Sequence, residues 1–314
     1  MEVEGRQRAL GYLYMVLVYI IWGILPAYWK LLAAVPPLGV MAHRALWAAV
    51  LIFIVLFLSH RPNDIFSKIK SGSVLGLIVI ASISLAIQWG AYLLAIVQGR
   101  LVELSLGYFI YPLVVTGLGR LFLGEKLNSS KIISLIFTGL GVLISLASMG
   151  KLPVLALTLA FSFAVYSLVK KKLGIPSLIS TGFELLFLLP FALGYCLWAE
   201  ASGPGFFLST FQAGNDGSAP GGGGTLMLLL LGGGALTALT LILFASGSKR
   251  VPIFAVGLLQ YISPTIVLLL GVFIYDEAFG IWRASSFGFV WLGICVYMLP
   301  GIAAMLNIRP LTVR

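Results

Sequence analysis

The sequence predicts an all-α polytopic membrane protein, ten transmembrane helices arranged as two inverted five-helix repeats. Three observations lead there. The chain is 60% hydrophobic and only 10% charged, with a mean hydropathy of +1.08, which leaves too few polar residues to cover a soluble globule of 314 residues. Its apolar residues gather into ten runs of roughly the 20 residues that a helix needs to cross hydrocarbon. The second half also repeats the first at a shift of 152 residues, where Pro112 falls on Pro264, Gly119 on Gly271, Glu125 on Glu277 and Gly141 on Gly293 without a gap.

The runs cover residues 10–30, 38–58, 73–97, 101–123 and 131–149 in a first repeat (1–150), and 152–169, 178–198, 225–246, 252–274 and 284–306 in a second (151–314). Span one carries Trp22, Pro26, Tyr28 and Trp29 and lacks a small-residue cleavage site, so it is expected to be retained rather than removed as a signal peptide. Spans four and nine share one design: an apolar helix with a mid-span proline, then a short turn ending in Glu. Such a proline frees a backbone carbonyl, which hydrocarbon tolerates only against protein or a water-filled cavity, so Pro112 and Pro264 are read as inward-facing gate kinks. The alternative is that both are packing kinks. The loop over 199–224 holds Gly203-Pro204-Gly205 and Gly221 to Gly224 without a basic residue, and is expected to be an outer, mobile linker.

Charge supplies the orientation. With the N-terminus inside, fifteen of the twenty Lys and Arg fall on inner segments, among them Lys170, Lys171 and Lys172; only Lys30, Arg100, Lys151 and Arg283 fall outside, and Arg44 lies within span two. This asymmetry predicts cytoplasmic N- and C-termini in the inner (plasma) membrane. The +10 net charge therefore reports topology and not nucleic-acid binding. Five spans per repeat oblige the second repeat to enter from the opposite side, placing Glu125 on the inner face and Glu277 on the outer, as if one gate element had been built twice. Alternating access around a midplane site is the expected use of that arrangement.

Ionisable groups at membrane depth are costly and face a cavity or a partner by default. They are few here: His43, Arg44, Glu103 and Glu184, with Lys30 at a span edge. Arg44 is read either as a snorkelling anchor or as a fixed positive charge for Glu103 or for an anionic group of a solute. His43 is either a packed histidine or a proton carrier, protons then being the coupling ion. Trp22, Trp29 and Lys30 share one face of span one, where Trp22 is read as cavity-lining and Trp29 as an interfacial anchor or a site residue. Gln88 and Tyr92 make a polar strip on span three. Tyr108 and Tyr111 share a face with Pro112 on span four, and Gln260 and Ser263 are their matches beside Pro264; interhelical hydrogen bonding is the alternative for all of these. Cys196 and Cys295 read as core filler, and neither a metal nor a cofactor is expected.

These features imply a permease for a small organic solute that is metabolite-, amino-acid- or drug-like. A channel or a non-transporting membrane partner protein is the alternative. A membrane-embedded lipid enzyme fits less well, because the only adjacent acidic pair inside 10–306 is Asp276-Glu277, at a turn. The residues carry a resemblance as well. Trp22-Gly23 with Pro26 and Tyr28, His43-Arg44-Ala45-Leu46-Trp47, Glu103-Leu104-Ser105-Leu106-Gly107-Tyr108-Phe109-Ile110, Pro112-Leu113, Leu123-Gly124-Glu125, and the stretch from Ala160 to Tyr166 followed by three lysines resemble the RarD branch of the EamA family, within the drug/metabolite transporter superfamily. Arg250, Pro252, Tyr261, Pro264 and Glu277 follow that family's second-repeat pattern, and Tyr111 stands where Asn is expected. The resemblance implies a ten-helix inner-membrane carrier, described in relatives as a chloramphenicol-sensitivity permease.

Overall fold

The computed structural model describes residues 2–59, 72–124, 127–149, 152–202 and 223–305. Every regular element among them is helical: α1 (Glu2–Lys30), α2 (Pro37–Ser59), α3 (Gly72–Val97), α4 (Leu101–Leu123), α5 (Ser129–Met149), α6 (Val154–Leu173), α7 (Ser177–Ala201), α8 (Gly223–Ser248), α9 (Ile253–Leu259), α10 (Ile262–Leu269) with a π-helical continuation (Leu270–Ile274), and α11 (Ile281–Met305). Ten stretches are long and apolar enough to cross a bilayer, α9 and α10 together forming the ninth. This is a multi-pass membrane protein. Its periphery is apolar, with Leu58, Leu197, Phe273 and Ile274 exposed, as lipid contact requires. Cys295 belongs to that exposed surface and not to the core, and Cys196 is half-buried. Glu125, Lys151, the inner-loop basic residues 61–70 and most of the 199–224 loop lie outside the described residues.

Packing runs across the two halves more than within them. α4 packs on α6 as α10 packs on α1; α3 packs on α6 as α8 packs on α1; α2 packs on α8 as α7 packs on α3; and α2·α7 and α5·α11 pair with their own counterparts. The α5·α11 contact shows how the sequence sets this. A Cβ on Gly141 would lie 2.8 Å from the carbonyl oxygen of Ser286 and 2.8 Å from Val290, and one on Gly293 would lie 2.9 Å from the carbonyl oxygen of Ser134 and 2.9 Å from the Thr138 hydroxyl. Ser134 and Ser286, and Thr138 and Val290, are partners at the same 152-residue shift. The glycines let two backbones meet at one reciprocal crossing, an arrangement compatible with inverted halves.

The matched prolines behave differently. Pro112 lies inside a continuous α4, where the Thr116 hydroxyl bonds the Pro112 carbonyl at 2.9 Å. Pro264 lies in the first turn of α10, just after the span breaks at Gln260–Tyr261. Clamping explains the difference. In α4, Gly107 is held against the Ala156 backbone, whereas Gly257 of α9 faces open space, so a helix-weakening glycine and a proline act on an unsupported turn.

Three successive glycines on α8 bring α1 and α2 close. A Cβ on Gly233 would meet the Trp29 ring at 2.7 Å, and one on Gly234 would meet the Trp47 Cβ at 2.2 Å. The Tyr28 hydroxyl donates to the Leu229 carbonyl at 2.6 Å, which fixes the end of α1 on α8. Trp29 and Arg44 are thereby held beside one another.

Candidate functional site

Arg44 enters from the second turn of α2 and is buried, at 8% exposure. Its guanidinium lies over the Trp89 ring, 4.0 Å from the centroid, and 5.2 Å from that of Trp29. Stacking of this kind suits the weakly hydrated, planar guanidinium better than it would an ammonium. Arg44 Nε donates to the Thr237 hydroxyl on α8 at 3.0 Å, and that hydroxyl in turn donates to the Gly233 carbonyl at 2.9 Å. Arg44 Nη1, the Trp29 indole nitrogen and the Tyr92 hydroxyl are buried without hydrogen-bond partners. The Trp29 N–H faces the Tyr92 hydroxyl without reaching bonding geometry. Tyr92 and Tyr108 stand edge-to-face, 6.3 Å between ring centroids, and both lie within electrostatic reach of the guanidinium. The Gln88 amide donates to the Tyr108 hydroxyl at 3.0 Å.

The result is an aromatic box with one cation, assembled from α1, α2, α3, α4 and α8. Trp89 also lines a small apolar cleft, of about 80 Å³, between α2, α3 and α7. Of the residues singled out from sequence, Arg44, Gln88, Tyr92 and Tyr108 meet here, and Trp29 joins them as a buried wall, not as an interfacial anchor. Trp89 and Thr237 complete the box. Sequence reasoning passed over both, since a tryptophan in an apolar span reads as packing and a threonine on a helix reads as a bond to its own backbone.

The remaining candidates lie elsewhere. Glu103 does not meet Arg44: one carboxylate oxygen pairs with Arg100, and the other accepts the Leu155 and Ala156 backbone N–H groups at 3.1 and 3.4 Å, capping α6. Their shared depth suggested a pair, but α4 turns Glu103 toward α6. His43, one residue from Arg44 and so about 100° around the helix, is buried within electrostatic reach of Glu200 at the end of α7. Trp22 stacks on Phe244, centroids 5.6 Å apart. Tyr111 shares a 2.8 Å hydrogen bond with Ser167 on α6 and packs on Phe163. Glu184, fully buried, receives Lys170 Nζ at 2.8 Å and the Tyr166 hydroxyl at 3.0 Å. Gln260 ends α9, and Ser263 is buried at the start of α10, where the Pro264 carbonyl accepts the Ser105 hydroxyl at 2.7 Å.

One cluster joins the two halves at the end of α4. Both oxygens of Glu277 accept backbone N–H groups of that helix, from Leu101 at 2.5 Å and Val102 at 2.9 Å. Two residues earlier, the Tyr275 ring lies 3.5 Å beneath the Lys30 ammonium. Asp276, between them, has φ +52°, the left-handed region that is uncommon outside glycine.

A model of the EamA-like transporter family matches residues 9–147. "Uncharacterized transporter YojE" of Bacillus subtilis is 42% identical, over 94% of this chain and 95% of its own. "Protein RarD" of Streptomyces exfoliatus is 36% identical, over 94% and 90%, and "Protein RarD" of Escherichia coli is 32% identical, over 96% and 97%. The chain belongs to the RarD branch of the EamA family. A crystallised protein 17% identical in sequence aligns with a TM-score of 0.54 over 93% of this EamA chain and 98% of its own, a likeness of fold. As an EamA member, the protein is a membrane transporter by kinship.

Proposed function

We propose that the protein is a secondary active permease that carries a small organic solute across the inner membrane by alternating access between residues 1–150 and 151–314, with both termini cytoplasmic and the box around Arg44 as the solute site. The observation that carries this is the Glu277 clasp. A carboxylate of one half holds the N-terminus of a helix of the other through two charge-assisted hydrogen bonds, at the face that the distribution of Lys and Arg assigns to the outside. The Lys30–Tyr275 contact reinforces it, and Asp276 carries backbone strain where the clasp must release. Closed here, the clasp bars the outer path; opened, it lets α10 and α4 part. Protons are the coupling ion we favour, and uptake into liposomes with and without a pH gradient tests that.

In an otherwise cysteine-free protein, a cysteine at Ser105, which is fully buried below the clasp, is expected to resist a membrane-impermeant maleimide added outside. Adding Glu277→Ala should make it reactive and lower uptake. Unchanged labelling and unchanged uptake together would remove the clasp from the transport cycle. A single cysteine at Ser129 is expected to react only from inside, and reaction from outside would break the inverted arrangement.

A further inference from the structure

We infer that the solute is a monocarboxylate bearing an apolar or aromatic group, and that it lacks an α-ammonium. This rests on the permease reading for its transport step but not for its binding step. The Arg44 box is a receptor of donors: Arg44 Nη1, Trp29 Nε1 and the Tyr92 hydroxyl are buried and unpartnered, and the Tyr108 hydroxyl, already accepting from Gln88, has its own proton to give. The two buried carboxylates among the described residues are engaged elsewhere, Glu103 by Arg100 and the start of α6 and Glu184 by Lys170 and Tyr166, and the half-buried Glu277 is held by the start of α4. Unsatisfied buried donors and an uncompensated buried cation are both unfavourable, so the missing group is one that accepts several hydrogen bonds and brings one negative charge.

A carboxylate fits on geometry and on charge. Its two oxygens match neighbouring donors of a planar guanidinium, and its single charge neutralises Arg44. A phosphate dianion would leave surplus charge among Trp29, Trp89, Tyr92 and Tyr108, with no second Lys or Arg contact there to offset it. Trp89 in turn borders the apolar cleft between α2, α3 and α7, whose lining suits the rest of the molecule. An amino acid fits poorly, because its ammonium would meet donors where it needs acceptors, and the Trp89 face that could receive a cation is already occupied by Arg44.

The test is calorimetric binding and thermal shift of the purified full-length protein with 3-phenylpropionate, 3-phenylpropionamide, phenylalanine and inorganic phosphate, and with a panel of short straight-chain and branched monocarboxylates. The acid is expected to bind at least about ten-fold more tightly than its amide, which keeps shape and loses charge, and than phenylalanine. Arg44→Lys, which keeps the charge and loses the fork, should weaken it by a similar factor. Tyr92→Phe, which removes one donor and keeps the ring, should weaken it several-fold without lowering the melting temperature of the empty protein, and Trp29→Phe, which removes a donor and also shrinks a buried ring, should weaken it at least as much while lowering that temperature. Equal binding of acid and amide, tighter binding of phenylalanine or phosphate, no binding by any carboxylate of the panel, or unaltered binding in the Phe variants would each overturn the proposal. Liposome flux separates the two readings. Carboxylate binding without flux keeps the ligand class and defeats the permease; flux of an uncharged solute unaffected by carboxylates keeps the permease and defeats the class.

Discussion

Lys170→Met is expected to lower unfolding stability in detergent by about 3 kcal/mol, near the bottom of the range for breaking a buried ion pair. Lys170 Nζ holds Glu184 at 2.8 Å and also meets the Thr181 hydroxyl at 3.0 Å, the Ser177 carbonyl at 3.3 Å and the Ser180 hydroxyl. The Glu184 side chain has no exposure and that of Lys170 has 16%, so the two single variants are not equivalent. Without Lys170, Glu184 keeps only the Tyr166 O–H of these partners, whereas without the charge of Glu184 the ammonium still has two hydroxyls, a carbonyl and some water. Glu184→Gln should therefore cost less than Lys170→Met. The double variant should recover part of the loss, because neither charge is then left alone. Strict additivity in the melting of the three variants would mean that the two groups do not stabilise one another. The network joins α6 to α7 away from the Arg44 box, so ligand binding to the folded protein should survive all three.

This network also shows what a sequence conveys about a membrane protein and what it withholds. The ten spans were legible, because apolar length and the spacing of breaks fix position along a helix at 1.5 Å per residue. Azimuth was not. Lys170 counted as an inner-segment charge, yet it folds back between α6 and α7. Arg44 and Glu103 share a depth, but α2 and α4 aim them at different neighbours. The Pro112–Pro264 match was visible and its outcome was not, since one glycine is clamped by Ala156 and the other by nothing. Glu277 read as the outer copy of a gate element; its partner, the distant N-terminus of α4, is visible only in the packed chain. Trp89 escaped notice and Trp29 stayed ambiguous for a related reason, as aromatic rings become a cation box only once the cation is placed on them.

Gly234→Ala is expected to lower both stability and ligand binding, while Gly293→Ala should lower stability alone. Each added Cβ would sit 3.0 Å or less from atoms that cannot simply swing away: on Gly234 the Trp47 Cβ at 2.2 Å and the Ala48 amide nitrogen at 3.0 Å, on Gly293 the Ser134 carbonyl oxygen at 2.9 Å. Overpacking of this kind costs about 1–3 kcal/mol, and the 2.2 Å contact belongs at the upper end. The consequences differ because of what lies one turn away. Thr237 follows Gly234 on α8, and Arg44 precedes Trp47 on α2, so the shift that relieves the clash pulls on the 3.0 Å bond from Arg44 to Thr237. A retreat of α2 by on the order of 1 Å carries that bond beyond hydrogen-bonding distance and lifts the guanidinium from its seat between Trp89 and Trp29. Gly293 sits in the α5·α11 crossing, which contributes no residue to the box. Melting curves and 3-phenylpropionate titrations of the two variants read the difference directly. Unimpaired binding in Gly234→Ala would show that the position of Arg44 does not depend on the α2–α8 approach, and impaired binding in Gly293→Ala would mean that the α5·α11 crossing reaches the site by a route these contacts do not contain.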